Sequence, residues 1–402
     1  MVHRKHLQPW DVLVIGAGAA GMMAASVAGK QGARVALLDH ADEPGKKILI
    51  SGGGRCNFTH LETSWERYHS LNPRFCQSAF ARYGAQDFLA LVEHYKIAWH
   101  EKSPGQLFCD GPASQIVAML QAECRAGDVT WYLRHAVQQV THDGHVFSIK
   151  TSHGEMSAHT VILASGGLAV PKLGASDLSL RIAKQFGLNI IQPAPALVPL
   201  CLAEPFPDLA GVSLPVTTSL GKKGVKFTDG MVFTHRGLSG PAILQISSYR
   251  DAGQKVRINL LPGHDILAEM QAACQRRPRA QAAALMEALP ARLARHWAQS
   301  MMDKRPLAEQ PGRAVRTLAE RLAQWEVIPS GTEGYAKAEV MKGGIDTRQL
   351  SSRSMEVQTV PGLYAIGEAV DMTGWLGGYN FQWAWSSGVA AGLAAAERSR
   401  VL

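Results

Sequence analysis

The chain has 402 residues, enough for more than one core, and its 46% hydrophobic and 18% charged content is that of an ordinary folded protein. A formal net charge of +8 and a pI near 9.2 suit polyanionic ligands, with nucleic acid the sharper alternative and a mildly basic surface the plainer one. Six cysteines without a CxxC pair argue against a redox-disulfide enzyme and against a zinc cluster.

The first element is the apolar run Val12-Leu13-Val14-Ile15, closed by Gly16-Ala17-Gly18-Ala19-Ala20-Gly21. Strand, glycine turn and helix follow in the order that one end of a dinucleotide requires. Gly16 permits the tight turn, Gly18 lets backbone approach a pyrophosphate, and Gly21 lets helix and strand pack closely. Asp39 ends a second apolar run, Arg34–Leu38, and can accept hydrogen bonds from ribose hydroxyls. The pattern alone does not choose the dinucleotide. The basic start, Met1–His6, followed by apolar Val12–Ala28 imitates a signal peptide, but the glycine pattern explains the segment better. The chain is therefore expected to be soluble and cytoplasmic.

Ser51-Gly52-Gly53-Gly54-Arg55-Cys56-Asn57 reads as a loop whose amides can approach a ligand closely, with a flexible surface loop as the bland alternative. Helices are expected over Phe75–Tyr95 and Pro112–Ala126. Val137–Val140, a turn at Asp143-Gly144, Val146–Ile149 and a turn at His153-Gly154 predict a β-meander that returns the chain to a core strand, Val161–Ala164. Such a meander, where a helical crossover is usual for NAD, is the first hint of FAD. Gly166-Gly167 follows, and Ser176 is expected to cap a helix ending near Phe186. The texture then changes to a β-rich stretch, 190–262, with hairpin turns at Gly221–Gly224 and Asp229-Gly230. A helical stretch, 263–335, comes next. Its basic run from Arg276 to Arg321 carries acids too and reads as mixed.

Near the end, Thr359-Val360-Pro361-Gly362-Leu363-Tyr364-Ala365-Ile366-Gly367-Glu368 is expected as a strand closing in Gly-Glu, where the acid can hold a ribityl hydroxyl. Gly377-Gly378-Tyr379-Asn380 then opens a helix whose first amides can face the pyrimidine edge of an isoalloxazine. These two motifs select FAD. The fold class expected is α/β: a Rossmann-type, glutathione-reductase-like FAD domain from 1–189 and 336–402, carrying 190–335 as an inserted substrate or cap domain. No second GxGxxG occurs, so NAD(P)H, if it is the reductant, must dock transiently.

These motifs resemble those of the BaiN-like (YhiN-like) FAD-dependent oxidoreductases, a family that includes aminoacetone oxidases and bile-acid reductases. The stretches that carry the likeness are GAGAAG at 16–21, PGKKILISGGGRCNFT at 44–59, GQLFCD at 105–110 and VILASGG at 161–167. FTHRGLSGPAIL at 233–244 and GLYAIGEAVDMTGWLGGYNFQWAWSSG at 362–388 complete it. The resemblance implies cofactor contacts at Ala19, Asp39, Lys47, the Ser51–Asn57 loop, Val137, Gly167, Glu368 and Gly378–Phe381, with Ala20, His40, Gly166 and Gly367 beside them. Asp39 stands where many members have Glu, and Met341-Lys342 where Thr and a small residue are common.

Within the insert, His235 is a candidate to exchange a proton and Arg236 to clamp a carboxylate or phosphate. The bland reading is a loop fixed by hydrogen bonds at a helix start. The leading expectation is an FAD oxidoreductase passing hydride to a small organic substrate, with NAD(P)H as reductant, no metal and no membrane partner. An RNA-modifying flavoprotein is the alternative, held back because its relatives of this fold carry a longer helical tail. A non-catalytic flavin sensor is a third.

Overall fold

The computed structural model describes residues 8–221 and 224–401. The basic start and the Lys222-Lys223 centre of the expected hairpin lie outside those residues. By contacts the chain forms two units: one runs up to Ala194 and resumes at Val340, and the other is Pro195–Glu339.

The first unit is built on β1 (Trp10–Ile15), α1 (Ala19–Lys30), β2 (Val35–Leu38), α2 (Ser114–Ala126) and β3 (Thr130–Tyr132). It continues with β4 (Val137–His142), β5 (Phe147–Thr151), β6 (Gly154–Leu163), β7 (Leu363–Ala365) and α3 (Tyr379–Ser399). Its sheet runs β3-β2-β1-β6-β5-β4, with β7 also on β6. β3, β2, β1, β6 and β7 are parallel, and β6, β5 and β4 form the antiparallel meander. Val12–Ile15 and Val35–Leu38 are buried throughout, as continuous apolar runs must be in a parallel sheet covered on both faces. The last meander strand and the expected core strand are one ten-residue strand. Its first half pairs with β5 and its second half with β7, while β1 lines the other edge.

α1 and α3 pack on each other through small residues. A Cβ on Gly388 would lie 2.7 Å from Ala20 O, and one on Gly392 2.6 Å from Ala24 O. Only glycine lets these two backbones approach so closely, and that contact ties the C-terminal helix to the first glycine turn.

Three local expectations need correction. The expected helix over Phe75–Tyr95 is two, Gln77–Arg82 and Ala85–His94, separated where Gly84 caps the second through Asp87. Ser176 is not the cap of the next helix. That helix starts at Leu178, and Asp177, at the cap position, gives its carboxylate to Arg181 at 2.9 Å. Asp229-Gly230 is not a turn either. Both lie inside strand Lys226–Phe233, where cross-strand pairing to Ser213–Ser219 holds them extended.

The second unit is an antiparallel sheet, ordered 325–327, 256–259, 213–219, 226–233, 237–239, 200–201 and 331–332, with helices beside it. Helix Pro241–Tyr249 interrupts its β-rich half. The later helices end at Ala323, after which Trp325–Val327 returns to the sheet. Among the described residues no helix is long and apolar enough to cross a membrane.

Candidate cofactor site

The first turn is held from both ends. Gly16 N–H donates to Leu38 O at 2.7 Å, and Gly45 N–H donates to Ala17 O at 2.9 Å. Asp39 completes it: Oδ2 accepts from Ala17 N–H at 2.7 Å and Oδ1 from Ala41 N–H at 2.8 Å. The carboxylate is thus first a clamp on the turn, with lone pairs left over for a ribose. His40 stands beside it, Nδ1 3.3 Å from Asp39 Oδ1.

The glycines of the turn divide by what surrounds them. A Cβ on Gly21 would lie 1.8 Å from Gly16 O, so Gly21 is required by the fold. Gly18 has extended backbone that any residue adopts, and a Cβ there would meet no protein atom within 4 Å. Gly18 thus leaves the start of α1 open, where helix N–H groups can meet an anion. Ala19 and Ala20 form the first positions of that helix.

Val137 is buried at the start of β4, where the register with β5 shifts. The backbone just before it is hydrogen-bonded to the acid end: His135 N–H donates to Asp39 O at 2.8 Å and Arg134 N–H to Ala41 O at 2.9 Å. The segment that leads into Val137 is therefore held beside Asp39.

The Ser51–Asn57 loop is a left-handed turn with φ of 56°, 68° and 85° at Gly52, Gly53 and Gly54. Its base is fixed by Cys56 N–H on Ser51 O at 3.0 Å and by Ala113 N–H on Gly54 O at 2.7 Å. Gly53 faces open space, and Arg55 is exposed. Cys56 is fully buried, and burial pushes its thiol up to about 12, so it stays protonated and unreactive.

Glu368 is the second pinned acid. Lys47 Nζ donates to its Oε2 at 2.6 Å, and Met341 N–H to its Oε1 at 2.9 Å. Gly367 links this acid to α3: its N–H donates to Ser387 Oγ at 3.1 Å, and its carbonyl accepts from Trp383 Nε1 at 2.9 Å. A Cβ on Gly166 would come 3.6 Å from Glu368 Oε2, and one on Gly167 2.8 Å from the buried Met341 side chain. The departure at Met341 thus contributes a packing group to Gly167 and a backbone donor to Glu368. Neither partner was legible in the sequence.

At the start of α3, Gly378 has φ 94°, and a Cβ there would lie 2.5 Å from Thr59 O and 2.9 Å from Asn57 Oδ1. The helix start and the end of the glycine loop are therefore in contact. The side chains expected to meet the flavin are committed to protein. Asn380 Oδ1 accepts from Gly374 N–H at 2.8 Å, and its Nδ2 donates to Gly374 O at 3.0 Å, closing the loop before the helix. Tyr379 is buried and stacked on His60 at 4.4 Å, and Phe381 on Trp385 at 5.5 Å. What α3 leaves for a ligand is its first-turn N–H groups.

His235 and Arg236 belong to the second unit. Thr234 Oγ1 accepts from the N–H of Arg236 at 3.2 Å and of Gly237 at 3.0 Å, so the loop is fixed from within. The Arg236 guanidinium is 63% exposed and 3.9 Å from Glu333, close enough to be oriented and too exposed to be neutralised.

The family and fold are those of the FAD-dependent oxidoreductase class. Residues 10–394 match the HI0933-like protein Rossmann domain, and the chain belongs to that family. It is 47% identical over 95% of its length, and 96% of the relative's, to a ribosomal RNA dihydrouridine synthase of Escherichia coli K12. It is 44% identical to the protein of that name in Haemophilus influenzae, over 95% of this chain and 97% of the other. A 3-dehydro-bile acid delta(4,6)-reductase of Clostridium scindens is 29% identical over 96% of this chain and 98% of its own. Among solved structures, a 3-ketosteroid-delta4-(5alpha)-dehydrogenase of Rhodococcus jostii shares the fold at TM-score 0.51 and 14% identity. That match covers 98% of this chain and 99% of the other.

Proposed function

We propose that this protein is an FAD-dependent reductase that saturates a uridine in ribosomal RNA. The observation that carries the reading is the 47% identity over nearly the whole of both chains to a ribosomal RNA dihydrouridine synthase. The open cradle at Gly18, the clamped Asp39 and the Lys47–Glu368 pair support the cofactor half of it.

Bound FAD would supply the hydride. In uracil the C5–C6 bond is conjugated to the C4 carbonyl, so hydride is accepted at C6 and a proton at C5. The protein's remaining tasks are to hold the base and move one proton. Asp39 and the α1 N-terminus would hold the adenosine and pyrophosphate end, while Glu368, fixed by Lys47 and Met341 N–H, would hold a ribityl hydroxyl. The first-turn amides of α3 would favour negative charge added to the bound flavin. His235 is the candidate for the proton and the exposed Arg236 for a substrate phosphate. NAD(P)H is the proposed reductant, docking transiently, and the cytoplasm, where ribosomal RNA resides, the proposed location.

A second reading, reduction of a small unsaturated carbonyl compound, is favoured by the 29% identity to the bile-acid reductase. Mass spectrometry of ribosomal RNA from cells with and without the gene decides between them. The proposal predicts one uridine that lacks its added hydrogen pair in the deletion strain and regains it on complementation. Identical RNA in both strains overturns it.

A further inference from the structure

The segment 263–325 holds ten Lys and Arg against six Asp and Glu, which is half of the chain's formal charge of +8. Nine of the ten are arginine, the residue whose planar fork matches phosphate oxygens. The sequence reads as mixed because acids are interspersed, and in the folded unit four of the six acids are engaged while Glu309 and Glu320 stay exposed among the arginines. Glu287 is ion-paired with Arg277 and Asp303 with Arg305, and Asp265 caps the helix Ile266–Arg276 while Glu269 takes His264. Arg276, Arg279, Arg313, Arg316 and Arg321 are exposed, and none of their guanidinium groups has a hydrogen-bond or ion-pair partner among the described residues.

Helix stability does not account for their placement. A cation is favourable at a helix C-terminus, which suits Arg276 and Arg321, and unfavourable in the first turn. Arg313 nevertheless stands in the first turn of helix Gly312–Ala323, where there is no acid, and Arg316 follows one turn on. Both lie away from the face buried by Val315, Leu318, Ala319 and Leu322. Guanidinia gathered at a helix N-terminus add to its own positive end, a combination that repels cations and attracts phosphate.

We infer that the exposed arginines of these helices dock the phosphate backbone of RNA. The inference rests on the reading that ribosomal RNA is the substrate. The test is the variant R313Q/R316Q/R321Q in the FAD-loaded full-length protein, against the matching Lys variant. Binding of a fluorescent fragment of ribosomal RNA is followed by anisotropy across a salt series.

The neutral variant is expected to bind at least tenfold more weakly at low salt. Its log–log salt slope should fall by about 2, from three lost contacts of about 0.7 each on single-stranded RNA. Flavin content and bleaching by NAD(P)H should match the wild type, and the Lys variant should recover the slope. A neutral variant with wild-type affinity and slope overturns the docking surface. If the wild type still reduces ribosomal RNA in that experiment, the functional reading stands. A wild type that neither binds nor reduces ribosomal RNA overturns both.

Discussion

Two glycine-dense stretches build the cofactor unit, and they differ in what stands beside their glycines. At Gly16–Gly21 one position, Gly18, faces empty space, while Gly21 is pressed against Gly16 O. In Gly367–Gly378 every glycine is backed by protein: Cβ atoms at 367, 374, 377 and 378 would lie 2.9 Å or less from Ala20, Tyr379, Gln106 and Thr59. The first stretch has one position left open around its Cβ. The second is a packed knot, closed by Asn380 and Trp383, that offers a ligand only backbone at a helix start. Glycine in a cofactor motif thus serves two separate ends, and substitution separates them.

The largest effect is expected for Gly21→Val, which forces side-chain atoms into Gly16 O. The loss should reach about 4 kcal/mol or more, read as failure of the apoprotein to give a cooperative melting transition. Gly18→Val is its counterpart: apoprotein stability should stay within about 0.5 kcal/mol of wild type while FAD affinity drops at least tenfold. Equal apoprotein destabilisation by both would erase the distinction between the two positions.

Asp39→Ala removes the acceptor of two backbone N–H groups and a ribose partner together. It should weaken FAD binding by about 1.5–3 kcal/mol and also lower the melting temperature of the apoprotein. Flavin retained through dialysis would show that ribose does not use this acid. Lys47→Met leaves Glu368 with only Met341 N–H, in a partly exposed pair, so about 1 kcal/mol of FAD affinity is the expected loss by titration.

The smallest effect concerns pH. Burial raises the thiols of Cys56, Cys76 and Cys124 from their ordinary value of 9.0 to about 12. Below pH 9 these thiols are protonated in both folded and unfolded chains. Between pH 9 and 12 only the unfolded chain ionises, so stability falls as pH rises through that window. Replacing all three with Ala should flatten the fall in denaturant midpoints above pH 9, and an unchanged slope would place the titrating groups elsewhere.

The first strand, turn and acid were legible because they are local: a run of apolar residues, three glycines and Asp39 carry their meaning within one βαβ segment. The meander was legible for the same reason, although the union of its last strand with the core strand depends on β7, which arrives much later in the chain. Tertiary partners were not legible. Lys47 meets Glu368 across 321 residues, and Asn380 closes its loop onto Gly374 because the fold turns back there. Asp229-Gly230 has turn chemistry but lies in mid-strand, since pairing with Pro215 and Val216 outweighs local preference. Ion pairs within the basic run were not legible either: Glu287 meets Arg277 and Asp303 meets Arg305, contacts that composition alone does not give.

The most direct measurement reduces the FAD-loaded protein anaerobically with NADH or NADPH and then adds ribosomal RNA from a strain lacking the gene. The account predicts that the yellow flavin colour returns in step with dihydrouridine formed in that RNA. Flavin that stays bleached with the RNA, yet recovers its colour with a small unsaturated ketone, would contradict it.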